Sequence, residues 1–432
     1  MQASAGPDVH LNPNVRGLAR SATLAINERS NALVAEGRRV FKLGLGQSPF
    51  PVPRPVVESL RAHAHEKDYL PVEGLRGLRD AVAAYHNRNE GLSYVGADVL
   101  IGPGSKELMF LLQLVYYGDL LVPTPAWVSY APQAHIIGRR VRWLETRHEE
   151  GWRLTPEDLE RLCDHDRGTP RLLILNYPSN PHGGTYGRGE LEALAKVARA
   201  HRILVLSDEI YGELHYEGQH VSIARFYPEG TIISSGLSKW CGAGGWRIGT
   251  FTFPSGLRWL LGAMASVASE TYTSTSAPIQ YAAVRAYEGG TELEDYLGRS
   301  RRILGGIARA LHRRLESAGA QVLPPRGGFY LFPDFEAMRG RLAEVGITDS
   351  ATLCERLLNA TGIALLPGSH LGRPGSELSA RIAFVNFDGA RALAGAEMAR
   401  GKHKLDDAFI HRYCEPTLTA VDTLVEWLAA PS

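Results

Sequence analysis

Gly236-Leu237-Ser238-Lys239-Trp240-Cys241-Gly242-Ala243-Gly244-Gly245-Trp246-Arg247-Ile248-Gly249 follows an apolar, strand-like run, Thr231-Ile232-Ile233-Ser234-Ser235. Its lysine stands among small residues, and an arginine lies eight positions on. A lysine amine condenses with an aldehyde once it has lost its proton. Arginine offers a phosphate a planar fork that the point charge of lysine cannot match. Glycines let the backbone approach a ligand closely and remove side chains that would crowd a ring. The stretch therefore reads as the anchor of a phosphate-bearing aldehyde, pyridoxal phosphate (PLP), with Lys239 as the Schiff-base lysine. A surface lysine beside a glycine-rich turn is the simpler reading of such a residue in isolation, so the companion motifs decide.

Bulk properties fit a cytoplasmic enzyme. A chain of 432 residues exceeds the usual single-core limit, so two structural domains are expected. The formal charge of +1 and the lack of a dominant basic run argue against a nucleic-acid binder. Cys163, Cys241, Cys354 and Cys414 lack CxxC spacing and read as reduced core residues rather than disulfides or metal ligands; no metal is expected. The polar N-terminus, Met1 to Pro13, lacks the apolar core of a signal peptide. No apolar run is long enough to span a membrane.

Short apolar runs alternate with helical patterns from about Val95 to Ser238. Expected strands include Val99-Leu100-Ile101, Leu120-Leu121-Val122, Leu172-Leu173-Ile174-Leu175, Ile203-Leu204-Val205-Leu206 and Thr231-Ile232-Ile233, with helices over Glu107 to Tyr117 and Arg188 to Ala200. This alternation predicts an α/β fold with a largely parallel sheet covered on both faces, its ligand beyond the carboxyl ends of the strands. Arg301 to Leu315 reads as a helix leading into a smaller second domain.

Several segments carry chemistry. Ile101-Gly102-Pro103-Gly104-Ser105-Lys106-Glu107-Leu108 leaves a strand and opens a helix, whose free N–H groups and positive dipole end suit a phosphate. Gly-Ser is also an ordinary helix cap. The segment lacks the Gly-Lys-Ser/Thr ending of a nucleotide-binding loop, and Gly242 to Gly245 is not GxGxxG. Ser207-Asp208-Glu209-Ile210-Tyr211 follows an apolar strand. Asp208 reads equally as the carboxylate beneath a pyridinium nitrogen, keeping an electron sink charged, or as a helix N-cap. Asn176-Tyr177-Pro178-Ser179-Asn180-Pro181-His182-Gly183-Gly184 is rich in turn formers, and His182 reads as a solvent-side turn residue. Trp127 stacks on a flat ring or fills core. Arg381 is a fork for a carboxylate or one half of a surface ion pair.

In this chain order the segments are similar to the class I/II aminotransferases of PLP fold type I, over roughly Leu18 to Leu428. The wording around Lys239 resembles a subgroup near the aromatic and methionine aminotransferases. The resemblance implies a large PLP-binding domain over 47–300, with a mostly parallel seven-stranded sheet between helices. A smaller α/β domain takes in 1–46 and 301–432. It implies that Lys239, Asp208 and Tyr211 are catalytic and that Tyr211 and Asn180 share the ring oxygen, stabilising its anion. Trp127 stacks on the ring, while Gly104, Ser105, Lys106, Ser238 and Arg247 serve the phosphate. Tyr69 reaches the phosphate of a partner subunit, so the active sites of a homodimer are shared. Gly46, Asn180 and Arg381 meet the substrate carboxylate.

There are departures. Gly236 stands where many relatives carry Ser, leaving Ser235 or Ser238 for the phosphate. Tyr177 intrudes in the Asn-Pro loop, and His370-Leu371-Gly372 occupies a loop expected near the substrate. Gly389 to Leu405 reads as a charged insertion with no assigned function.

The implied reaction moves an amino group from an L-amino acid to a 2-oxo acid with ping-pong kinetics. No second arginine stands at a recognisable side-chain-carboxylate position, so a strictly acidic donor is not required, and the subgroup resemblance around Lys239 implies neutral or aromatic donors. Two alternatives remain. One is a PLP enzyme of the same fold performing elimination, replacement, cyclisation or annulation. The other is a catalytically silent regulator, against which the intact Lys239, Asp208, Arg247 and Arg381 count.

Overall fold

The computed structural model describes residues 10–164, 168–399 and 405–430. Most of the N-terminal stretch and residues 400–404 of the charged segment therefore lie outside the described residues; Gly389–Met398 forms a helix.

A two-residue strand β1 (Phe41–Lys42) precedes the main sheet. The sheet contains β2 (Val99–Gly102), β3 (Asp119–Thr124), β4 (Val141–Glu145) and β5 (Arg171–Asn176). It is completed by β6 (Leu204–Asp208), β7 (Thr231–Gly236) and β8 (Gly249–Thr252). Their order is β2-β8-β7-β6-β5-β3-β4. β3 to β7 run parallel, and β8 lies antiparallel to both its neighbours. This is the expected α/β architecture with a mostly parallel seven-stranded sheet. The continuous apolar runs of β5, β6 and β7 are buried along their lengths, because helices cover both faces.

Every strand expected from sequence forms, and the two expected helices run over Ser105–Val115 and Arg188–Ala200. β4 and β8 carried weaker signals. β4 is an edge strand reading Val-Arg-Trp-Leu-Glu, and β8 reads Gly-Thr-Phe-Thr. Neither has the unbroken apolar run that marks a buried strand.

After the sheet come β9 (Tyr330–Leu331), β10 (Ile363–Ala364), β11 (Leu366–Pro367) and β12 (Ala380–Ala383). β11, β12 and β9 form an antiparallel sheet, while β1 pairs with β10. The Ala383 N–H also donates to the Leu43 carbonyl, so the N-terminal segment is stitched to the C-terminal part. The helix expected over 301–315 starts earlier, at Thr291, and runs to Ser317. The expected division at 300/301 falls within this one helix.

All four cysteines are free and buried. Among the described residues no helix is long and apolar enough to cross a membrane.

Candidate active site

β2, β3, β5, β6 and β7 all point their carboxyl ends to the same edge of the sheet, the edge where ligands bind in such folds. The segments leaving them line a cavity of about 550 Å3. Ser105, Lys106, Trp127, Asn180, Asp208, Tyr211, Ser238, Lys239, Arg247, Gly46 and Arg381 all face it, so eleven expected residues from widely separated segments meet at one place.

Lys239 lies three residues past β7. Its Nζ donates to the Gly46 carbonyl at 2.8 Å and lies 5.8 Å from the centre of the Tyr211 ring. Burial, then the Arg381 guanidinium, lowers its pKa to about 8, with Asp208 opposing. Desolvation penalises the ammonium, so the neutral nucleophilic amine is within reach near neutral pH.

Asp208 is the last residue of β6, followed by a turn rather than a helix, so the N-cap reading fails. Its Oδ2 accepts from the Tyr130 hydroxyl at 2.6 Å. Burial raises its pKa to about 6, and the Tyr130 hydrogen bond works against that rise. A buried carboxylate in this state gains most from a cationic partner, which a pyridinium nitrogen supplies.

The phosphate side is a cradle without side chains. A Cβ on Gly249 would lie 2.1 Å from the Ser105 nitrogen. Gly104 has φ +97, and a Cβ there would lie 2.2 Å from Arg247 Nη2. These two glycines let the start of helix Ser105–Val115 and Arg247 close on one spot. Arg247 donates to the carbonyls of Gly244 and Pro103, at 2.9 and 3.2 Å, and makes no ion pair among the described residues. An arginine without a counter-ion beside a helix N-terminus suits a phosphate. Ser238 lines the cavity, whereas Ser235 is buried towards Tyr287.

Arg381 is 1 % exposed. Its Nη1 donates to Asn180 Oδ1 at 2.9 Å and its Nη2 to the Gly44 carbonyl. Its buried Nε has no partner, and no carboxylate pairs with it among the described residues. A buried, partly unsatisfied guanidinium is costly unless a substrate carboxylate completes it. Pyridoxal phosphate thus fits the residues present: a carboxylate, an amine and an arginine that make no ion pair among the described residues stand with a glycine cradle around one space.

Some expectations need correction or addition. His182 is 6 % exposed, not on the solvent side. The Gly183 carbonyl accepts from the Arg326 and Gly327 N–H groups, which tucks the turn inward. His182 Nδ1 accepts from the Gly184 N–H at 3.1 Å, and burial lowers its pKa to about 3, so it stays neutral. The His370-Leu371-Gly372 loop does not line the cavity; the Leu371 carbonyl accepts from Ala126 N–H and braces the turn before Trp127. Tyr69 is 90 % exposed and outside the cavity of its own chain. Tyr130 and Tyr330, to which no role was assigned from sequence, both line it. Thr23, near the start of the helix Ala22–Ala35, does so too.

Comparison with known proteins agrees with this geometry. The pattern of the family described as aminotransferase class I and II matches residues 38–392. The chain is 35% identical over 373 residues to an aspartate aminotransferase of Geobacillus stearothermophilus, covering 83% of this chain and 91% of that one. It is 31% identical over 380 residues to an asparagine–oxo-acid transaminase of Streptococcus mutans, covering 84% and 92%. Aspartate aminotransferase from Thermus thermophilus with maleate superposes with a TM-score of 0.82 at 28% identity, covering 97% of this chain and 100% of that one. None of these names supports the aromatic or methionine subgroup. Family, fold and site chemistry agree: this chain belongs to the class I and II aminotransferases, PLP-dependent enzymes of fold type I.

Proposed function

We propose that the protein transfers the amino group of a dicarboxylic L-amino acid, aspartate foremost, to a 2-oxo acid. The observation that carries the choice of donor is Lys106. Its ammonium lies 5.1 Å from the centre of the Trp127 ring and makes no ion pair among the described residues. Burial, then Arg247, lowers its pKa, as for a cation held ready for an anion. Gly104, Ser105 and Arg247 suffice for a phosphate, so Lys106, expected at the phosphate, is assigned instead to the second carboxylate of the donor. Thr23 on the same cavity offers that carboxylate a hydroxyl. Relatives named for aspartate and asparagine, and a relative solved with maleate, support the reading. The expectation of neutral donors came from the subgroup resemblance around Lys239, which the relatives do not bear out, and in this reading Lys106 takes the place of a second arginine.

Bound pyridoxal phosphate supplies the electron sink for a carbanion at the substrate Cα. The remaining roles fall to the chain. Arg381 grips the α-carboxylate, which orients the Cα–H bond. The Lys239 amine takes that proton as base and returns it one carbon away. Asp208 keeps the ring nitrogen protonated, and Tyr211 and Asn180 share the ring oxygen. Ser105, Ser238 and Arg247 hold the phosphate, joined by Tyr69 from a second subunit across a dimer interface. No feature among the described residues favours elimination, replacement or cyclisation instead.

Lys106→Gln tests the donor assignment. We expect kcat/KM for aspartate to fall by about 10- to 100-fold, in line with losing one charge-assisted contact, while that for alanine changes little. Equal losses for both donors, or wild-type enzyme turning over alanine as well as aspartate, would remove the dicarboxylate assignment.

A further inference from the structure

Tyr330 sits where three parts of the site meet. It opens β9 and is paired in register with Ala383 of β12, the strand that carries Arg381. Only 1 % exposed, its hydroxyl lies 2.9 Å from the Tyr211 hydroxyl. Its ring carries the Arg381 guanidinium at 4.7 Å from the centroid. A Cβ on Gly46 would lie 1.8 Å from the Tyr330 hydroxyl, so the glycine whose carbonyl accepts from Lys239 is also the one that leaves room for this phenol.

A phenol has one proton to give. In the protein alone, either hydroxyl of the Tyr211–Tyr330 pair can be the donor. With the Tyr211 hydroxyl donating its hydrogen bond to the cofactor ring oxygen, only Tyr330 can donate within the pair. The chain then has one direction, from Tyr330 through Tyr211 to the ring oxygen, and bonds in such a chain strengthen one another. We propose that Tyr330 is a positioning residue that fixes the direction of the Tyr211 hydrogen bond. Through its ring, the same residue ties the setting of the cofactor oxygen to that of the carboxylate-binding Arg381. Tyr330 thus has two separable duties, one in its hydroxyl and one in its ring. The inference rests on the proposed placement of Tyr211 at the ring oxygen.

The test uses holoenzyme and two readouts besides turnover: the pH titration of the bound cofactor's visible band and the dissociation constant of maleate. Donation to the ring oxygen favours its anion, so losing donation raises the titration midpoint. Tyr211→Phe is expected to raise it most. Tyr330→Phe keeps the ring and is expected to raise it by about 0.3 pH unit, the share of a neighbour in a cooperative chain, with maleate affinity unchanged. Tyr330→Leu loses both duties and is expected to raise the midpoint and weaken maleate binding several-fold. In a Tyr211→Phe background, Tyr330→Phe is expected to move the midpoint no further. If Tyr211→Phe moves the midpoint while Tyr330→Phe does not, or if the two shifts add, the relay is wrong and the placement of Tyr211 stands. An unmoved midpoint in Tyr211→Phe overturns the placement of Tyr211 and the relay with it.

Discussion

Burial and Arg381 hold the Lys239 ammonium down to a pKa of about 8, so its neutral fraction grows as pH rises towards that value. The rate at which cofactor-free protein captures pyridoxal phosphate is therefore expected to climb about tenfold per pH unit below 8 and to level off above it. Stopped-flow absorbance over pH 6–10 measures this, and a plateau reached only near 10.5 would show an ordinary lysine. Asp208→Asn removes a buried charge without changing volume, so folding is expected to survive. The first half-reaction should slow by about 10^3-fold, since an ion pair at ~4 Å with an effective dielectric near 20 is worth roughly 4 kcal/mol. Rapid-mixing kinetics of that variant checks it. At this scale Lys239, Asp208 and Arg247 were legible because the chemistry dictates the residue type and each comes at a recognisable strand end or glycine run, whereas Arg381, inside the short strand β12, was reached only through the family resemblance. Tyr130 and Tyr330 were not. Their partners lie 78 and 119 positions away, and a tyrosine acting through another side chain leaves no local pattern.

The glycine contact between β8 and the start of helix Ser105–Val115 belongs to the elements rather than to any one side chain. A methyl group at Gly249 meets backbone, not a flexible side-chain tip, so the helix start must move away from Arg247. Gly249→Ala is expected to lower stability by about 1–3 kcal/mol, as overpacking does, and to weaken cofactor binding at least tenfold, read by fluorescence titration. Gly256→Ala, which meets nothing within 4 Å, is the control and is expected to change neither. Strands β2, β3, β5, β6 and β7 were legible because burial on both faces demands unbroken apolar runs. β4 and β8 were harder to see: β4 is a half-exposed edge strand, and β8, though buried, is a four-residue Gly-Thr-Phe-Thr with a single large apolar side chain. The inward fold of the His182 turn was hidden for a different reason. Pro-His-Gly-Gly has surface composition, and it is buried by residues far along the chain, Pro325, Arg326 and Gly327 among them.

For the whole molecule, the proposed sharing of sites in a homodimer has a complementation test. Mixing Tyr69→Ala and Lys239→Ala subunits, each impaired alone, is expected to restore activity, because the mixed dimer regains one site with both residues intact. An unchanged sum of the two activities would place each site within one chain. The central claim, transamination of an acidic donor, is tested most directly by a single half-reaction. Purified holoenzyme is mixed with L-aspartate and no oxo acid, and the bound cofactor's absorbance is followed together with the product released. The account predicts one equivalent of oxaloacetate per site, conversion of the cofactor to its aminated form, and reversal on adding 2-oxoglutarate. Release of ammonia, carbon dioxide or a product that keeps its nitrogen, with the cofactor left unaminated, would contradict it.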